Sequence, residues 1–193
     1  MTSHQFNRLY PAGVSDDELF IVCQTYPELN IERDVSGKII VMSPVGDDLS
    51  HKNLILSGLF YYWTSAHEHV GVGFDSSTGF MLPDGSMRSP DLAWIRRERW
   101  EKLIEHDRTR FAHICPDFVV ELRSPSDPLR MLQTKMVAWM NNGCQLGWLI
   151  DLENEKAYIY TPDETLEEIT GFHHKLTGGT VLPGFELDLL KLK

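Results

Sequence analysis

The chain has 193 residues, 42% of them hydrophobic and 24% charged, with a formal net charge of −10. That length can bury a substantial core in one domain, and the balance excludes a disordered chain. No apolar run approaches the ~18 residues of a membrane span, and the acidity argues against a protein that coats nucleic acid nonspecifically.

The first residues, MTSHQFNRLYPAG, lack a charged segment followed by an apolar one, so no secretory signal is expected. Ser15 and Glu18 have the spacing of a capping box and predict a short helix to about Tyr26, where Pro27 discourages continuation. NIERDVSGKIIVMSP predicts two short strands about a Ser-Gly turn, ending at Pro44. Leu54, Ile55, Leu59, Tyr62 and Trp63 recur at helical spacing, which predicts a long amphipathic helix from Ser50 to about His67, stopped near Gly71. Strand-like runs follow through GVGFDSSTGFMLPDGSMRSPDLAWI, with a turn at Pro83-Asp84-Gly85.

A short helix is expected over Arg97 to Glu105. DFVVEL reads as a buried strand ended by Pro125. Leu129 to Asn141 predicts a second amphipathic helix, with Leu132, Met136, Trp139 and Met140 on one face and Asn142-Gly143 closing it. Ser124, Ser126 and Asp127 are positioned to cap it, with Pro128 in its first turn. LGWLID and KAYIYT form a hairpin around Glu153-Asn154-Glu155, and VLPGFELDLL adds a tail element. Helix, three strands, helix, strand is an α/β order: a mixed central sheet flanked by helices, preceded by an N-terminal helix and hairpin, in one domain over residues 1–193.

Cys23, Cys115 and Cys144 are scattered and form no CxxC, which points to reduced thiols in a cytoplasmic protein rather than a disulfide framework or a zinc knuckle. Charge is uneven. Arg88 to Arg110 carries seven basic and five acidic residues, a local net of +2, so the remainder carries −12. Local attraction for phosphate near Asp91 stands beside the plainer reading of a solvated, salt-bridged helix.

Side chains alternate along a strand, so Asp117, Val119, Glu121 and Arg123 share one face, and Phe118, Val120 and Leu122 the other. Charges on a buried strand are costly unless paired. They form either a structural ion-pair network or a site that holds a cation and an anion. Asp117 lies four residues before Glu121, roughly 13 Å at ~3.3 Å per residue, too far to share one ion with bonds of ~2.0–2.6 Å. Asp91 begins another expected strand, PDLAWI, and adjacent strands lie ~4.8 Å apart. Aligned there, Asp91 and Glu121 give two hard oxygen ligands, the usual basis of a Mg²⁺ site that keeps several waters.

Pro90-Asp91 followed by Glu121-Leu122-Arg123, in this element order, resembles the PD-(D/E)XK nuclease superfamily. Within it, ERDVSGKIIVMSP, SSTGFMLPDGSMRSPDLAWI, CPDFVVELRSPSD, KMVAWMNNGCQLGWLID and VLPGFELDLL resemble the Uma-type restriction endonuclease family over nearly the whole chain. The resemblance implies a restriction endonuclease-like fold and a divalent metal, Mg²⁺ or Mn²⁺, on Asp91, Glu121 and the backbone carbonyl of Leu122. It implies metal-assisted phosphodiester hydrolysis, most readily of DNA; the acidic charge is compatible with this if a basic groove or a homodimer supplies the DNA contacts, and a dimer would also allow both strands to be cut. The superfamily's usual lysine is replaced here by Arg123, a catalytic candidate that could orient water or stabilise developing phosphate charge but, being always protonated, cannot serve as a base. Lys135, on the following helix, matches the alternative position used by some members. His51 and Gln133 are accessory candidates.

Two readings follow from these residues. One is a Mg²⁺-dependent endonuclease. The other is a nuclease-fold module without catalysis that binds nucleic acid or regulates, motivated by Arg123 and the −10 charge. Neither a Walker loop, GxSxG nor HExxH occurs, which leaves nucleotide-cofactor, serine-hydrolase and zincin chemistry without support.

Overall fold

A computed structural model of the chain describes residues 1–42, 47–163 and 165–193, with the side chains of all of these except Asp47 and His106. Contacts sort the chain into two compact units, each assembled from separate stretches: Met1–Pro44, Ser77–Ser89 and Leu103–Cys115, and Val45–Ser76, Pro90–Lys102 and Pro116–Lys193.

The first unit opens with α1 (Ser3–Leu9) and α2 (Asp16–Thr25), each started by a capping box that satisfies leftover N–H groups of the first turn. In α2 the box is the Ser15–Glu18 pair expected from the sequence. β1 (Ile31–Arg33) and β2 (Ile39–Val41) pair antiparallel around a turn where Gly37 takes φ 81°, a conformation that favours glycine. The expected end of this hairpin at Pro44 lies outside the described residues.

The chain then builds α3 (Asp47–Ala66) and β3 (Gly71–Asp75) of the second unit and returns to the first for β4 (Phe80–Met81) and β5 (Met87–Arg88). The Pro83-Asp84-Gly85 turn joins β4 to β5. β6 (Leu92–Arg96) and α4 (Arg97–Trp100) belong to the second unit, and α5 (Glu105–Thr109) to the first. The single helix expected over Arg97 to Glu105 is thus two short pieces. α4 buries no residue and neither piece has a side-chain N-cap, so nothing sustains a longer helix.

β7 (Phe118–Arg123), α6 (Leu129–Asn141), β8 (Leu146–Asp151), β9 (Lys156–Tyr160), β10 (Leu166–Thr170), β11 (Lys175–Thr177), β12 (Glu186–Asp188) and a 3₁₀ turn at Leu189–Leu192 complete the second unit. α6 has the expected bounds, but its N-cap is Pro128 with no side-chain cap. The Ser124 and Ser126 hydroxyls bond each other instead, 2.9 Å apart.

In the first unit, strands in the order β2-β1-β5-β4 cover a core of Phe6, Leu19, Val22, Ile31, Ile39 and Met87. The second unit carries a six-stranded sheet in the order β10-β9-β8-β7-β6-β3. β7 and β8 are parallel and joined through α6; the other neighbours are antiparallel, so the sheet is mixed. The order α3-β3-β6-β7-α6-β8 is the expected helix, three strands, helix, strand.

Strand alternation places Phe118, Val120 and Leu122 in the main core with Leu56 and Phe60 of α3, while Glu121 turns to α6 on the opposite face. The buried stripe of α3 is Leu49, Leu56, Phe60 and Trp63, with Ile55 and Leu59 packed against the core. Leu54 and Tyr62, expected inside, are 70% and 81% exposed. The helix is rotated from the predicted phase, because an apolar face wider than the sheet can cover leaves several residues outside.

Candidate metal and active site

The site lies at one end of the β6–β7 pair. Leu92 of β6 is in register with Val120 of β7, and the Asp91 N–H donates to the Val120 carbonyl at 3.0 Å. Asp91 therefore stands beside Glu121 on the neighbouring strand. Its carboxylate is fixed by two donors. The Leu122 N–H donates to Oδ2 at 2.6 Å, and the Asn53 amide of α3 donates to Oδ1 at 3.1 Å. Asn53 itself lies 3.5 Å from the Ser57 hydroxyl, which donates to its Oδ1.

Glu121 is 4% exposed. Lys135 Nζ lies 2.9 Å from Oε1 and 3.0 Å from Oε2, and the Trp139 indole N–H donates to Oε1 at 3.0 Å. Lys135 and Trp139 are four residues apart, so a single face of α6 delivers both. An ammonium this buried is tolerated because the carboxylate beneath it supplies the opposite charge.

Arg123 has a different partner. Its guanidinium lies 2.7 Å from Asp151 Oδ2, and its Nε donates to the Asp127 carbonyl at 3.1 Å. Burial alone would raise the Asp151 carboxyl, but hydrogen bonds from Asn154 and Arg123 outweigh it and hold the group below its ordinary value. At the far end of β7, Asp117 accepts the Arg96 N–H at 2.9 Å and lies 2.8 Å from Arg99. The structure thus puts Asp91 on the strand beside Glu121, bonds Leu122 to Asp91 and Lys135 to Glu121, and sets Arg123 against Asp151. His51 is exposed on α3, and Gln133 is half-buried on α6, two residues and roughly 200° around the helix from Lys135.

Among the described residues, no group of three or more His, Cys, Asp or Glu could hold a metal ion. The donors at hand are two carboxylates. Carboxylate oxygens are hard donors, which suits a hard divalent cation that keeps most of its waters. Neither a thiolate nor an imidazole joins them, so the set does not fit a closed zinc centre.

A family model described as "Putative restriction endonuclease" (Uma2) matches residues 16–190, most of the chain. The chain belongs to the Uma2 family. Its fold is similar to a solved structure described as "a putative nuclease belonging to DUF820 from Anabaena variabilis ATCC 29413", with a TM-score of 0.73 at 18% identity, over 86% of this chain and 90% of that one. No curated protein matches the sequence.

Two residues of this Uma2 chain escaped the sequence reading. Asn53 continues the buried stripe Leu49, Leu56, Phe60 at steps of four, three and four, and a polar residue on an apolar stripe was the available signal. Trp139 lies in the core, as its apolar pattern indicates; only the packing shows that its N–H reaches Glu121. That N–H is the polar handle that buried tryptophans commonly use.

Proposed function

We propose that this Uma2 chain is a divalent-metal-dependent endonuclease that hydrolyses phosphodiester bonds in DNA. The observation that carries the reading is the Asp91 carboxylate, held by Leu122 and Asn53 beside a Glu121 that already faces the ammonium of Lys135. Asp91, Glu121 and the Leu122 carbonyl would hold Mg²⁺ or Mn²⁺. When bound, the metal supplies Lewis acidity to a phosphoryl oxygen and lowers the pKa of a coordinated water.

The chain's own residues do the rest. Leu122 and Asn53 fix the Asp91 oxygens in place before substrate arrives, which avoids reorganisation during the reaction. Lys135 holds its positive charge about 3 Å from Glu121, where it stabilises negative charge growing on the phosphate. Trp139 orients Glu121 and, being fully buried, excludes water from its α6 side. Arg123 pairs with Asp151 and supports the fold. A two-fold dimer would bring one site to each strand of a duplex. Among the described residues no helix is long and apolar enough to cross a membrane. The three free thiols suit the reducing cytoplasm in which this enzyme would work.

A second reading, a nuclease-fold module without catalysis, is favoured by one observation: both Glu121 oxygens are already engaged by Lys135 and Trp139. Cleavage of plasmid, single-stranded DNA and RNA with Mn²⁺ decides between them. The endonuclease reading expects metal-dependent plasmid nicking that Asp91→Ala and Glu121→Ala each remove. No nicking by the wild type under any of these conditions favours the inert module.

A further inference from the structure

Beside Asp91, an open groove of about 270 Å³ runs between α3 and β3, the last strand of the sheet. Its lining is linked to Asp91 through chain neighbours and hydrogen bonds. Leu92 follows Asp91 directly and lines the groove; Asp75 faces Leu92 across the β3–β6 ladder; Ser57 lines the groove and bonds Asn53, which holds Asp91. Phe60 is buried in one wall, whereas the Tyr61 ring in the same lining is 73% exposed. Gly73 keeps the strand side low, since a Cβ there would come within 3.0 Å of Phe60 and Thr64.

We propose that this groove receives one unstacked base of the strand being cut, its ring on Tyr61 and its amino edge turned to Asp75. The inference rests on the nuclease reading for the identity of its ligand and adds a subsite to it. At about 270 Å³ the groove is on the scale of a single base and not of a duplex. An exposed aromatic ring next to a phosphate-reacting centre is the element on which single-stranded nucleic acid stacks, and stacking accepts any base. The carboxylate adds a preference. It only accepts hydrogen bonds, so it favours adenine and cytosine, which present exocyclic amino donors, over thymine, whose single N3–H donor is flanked by two carbonyl oxygens that repel a carboxylate.

The test uses the whole protein and fluorescein-labelled dA, dC and dT decamers, read by anisotropy in EDTA so that no cleavage intervenes. The wild type should bind dA and dC more tightly than dT. Tyr61→Ala should weaken dA and dC binding roughly ten-fold or more. Tyr62→Ala should not, because Tyr62 is 81% exposed yet outside the groove. Asp75→Asn should remove the preference against dT while leaving the fold intact by circular dichroism. Equal loss in Tyr61→Ala and Tyr62→Ala, or no loss in either, overturns the base subsite, as does a wild type that binds none of the decamers. A parallel Mn²⁺ nicking assay separates the two claims. Nicking with unchanged oligonucleotide binding in Tyr61→Ala keeps the nuclease and removes the subsite. Tyr61-dependent binding without nicking keeps the subsite and removes the nuclease.

Discussion

Asp117 and Glu121 stand at two ends of one strand, on one face, and are almost equally buried at 3% and 4% exposure. Their surroundings differ. Asp117 is held by the Arg99 and Arg96 guanidinium groups and the Arg96 N–H. Glu121 is held by a lysine and an indole, with a second carboxylate, Asp91, beginning the adjacent strand. Arginines are always charged and pair with carboxylates in a fixed fork, which makes Asp117 a fastener. Two neighbouring carboxylates are a donor set suited to a hard cation, and the proposed metal would lie against Asp91 and Glu121. Burial and a cationic partner do not distinguish a fastener from a proposed site; what differs is the second carboxylate, Asp91, on the strand beside Glu121.

The largest expected effect separates these two acids. Glu121→Ala and Asp91→Ala should each reduce Mn²⁺-dependent nicking to background, whereas Asp117→Asn should keep nicking and lower the melting temperature. Loss of nicking in Asp117→Asn at a temperature where it stays folded would break the comparison.

Arg123→Met should act on stability. It leaves Asp151, 1% exposed, without its guanidinium, which costs about 3 kcal/mol, the low end for a broken buried pair because Arg123 retains some exposure. For a chain of this length that is a fall in Tm of roughly 6–12 °C by calorimetry. Metal binding should persist below that temperature.

Trp139→Phe tests the indole bond alone. Phenylalanine keeps most of the ring and deletes the N–H to Glu121 Oε1. Stability should fall by about 1–3 kcal/mol, and Mn²⁺ affinity by about ten-fold or more, as for other groups that orient a metal ligand. An unchanged affinity would make Trp139 a packing residue only.

The smallest effect is in acid. The folded Asp151 carboxyl lies below its ordinary value of 3.8, so its contribution is full above that value and disappears as pH falls through the folded one. Asn154→Ala removes a donor 2.9 Å from Asp151 Oδ2. Urea unfolding from about pH 6 to about pH 2.5 should show a shallower acid loss of stability in the variant than in the wild type.

Much of the second unit was legible because its signals are local. Helix periodicity and the Asn142-Gly143 stop gave α6 its bounds, although the expected N-terminal caps do not form, and strand alternation put Glu121 opposite Phe118, Val120 and Leu122. The neighbouring position of Asp91 followed from strand spacing and is borne out by the Asp91–Val120 backbone bond. Features fixed by packing were not legible. The phase of α3 depends on how much of its broad apolar face the sheet covers, and misreading that phase concealed Asn53 while making Leu54 and Tyr62 look buried. β10 also escaped: LEEIT is mostly exposed at the sheet's other edge and has no buried face to announce it. The division of partners, Lys135 to Glu121 and Arg123 to Asp151, could not come from strand alternation, which puts both strand charges on one face and says nothing of the helix above.

The central claim is that Asp91 and Glu121 together bind a divalent cation. Titration of Mn²⁺ into the wild type, Asp91→Ala, Glu121→Ala and Asp117→Asn by isothermal calorimetry tests it most directly. Binding in the wild type and in Asp117→Asn, lost in the other two, is the predicted result. Equal binding in all four proteins, or in none, would contradict it.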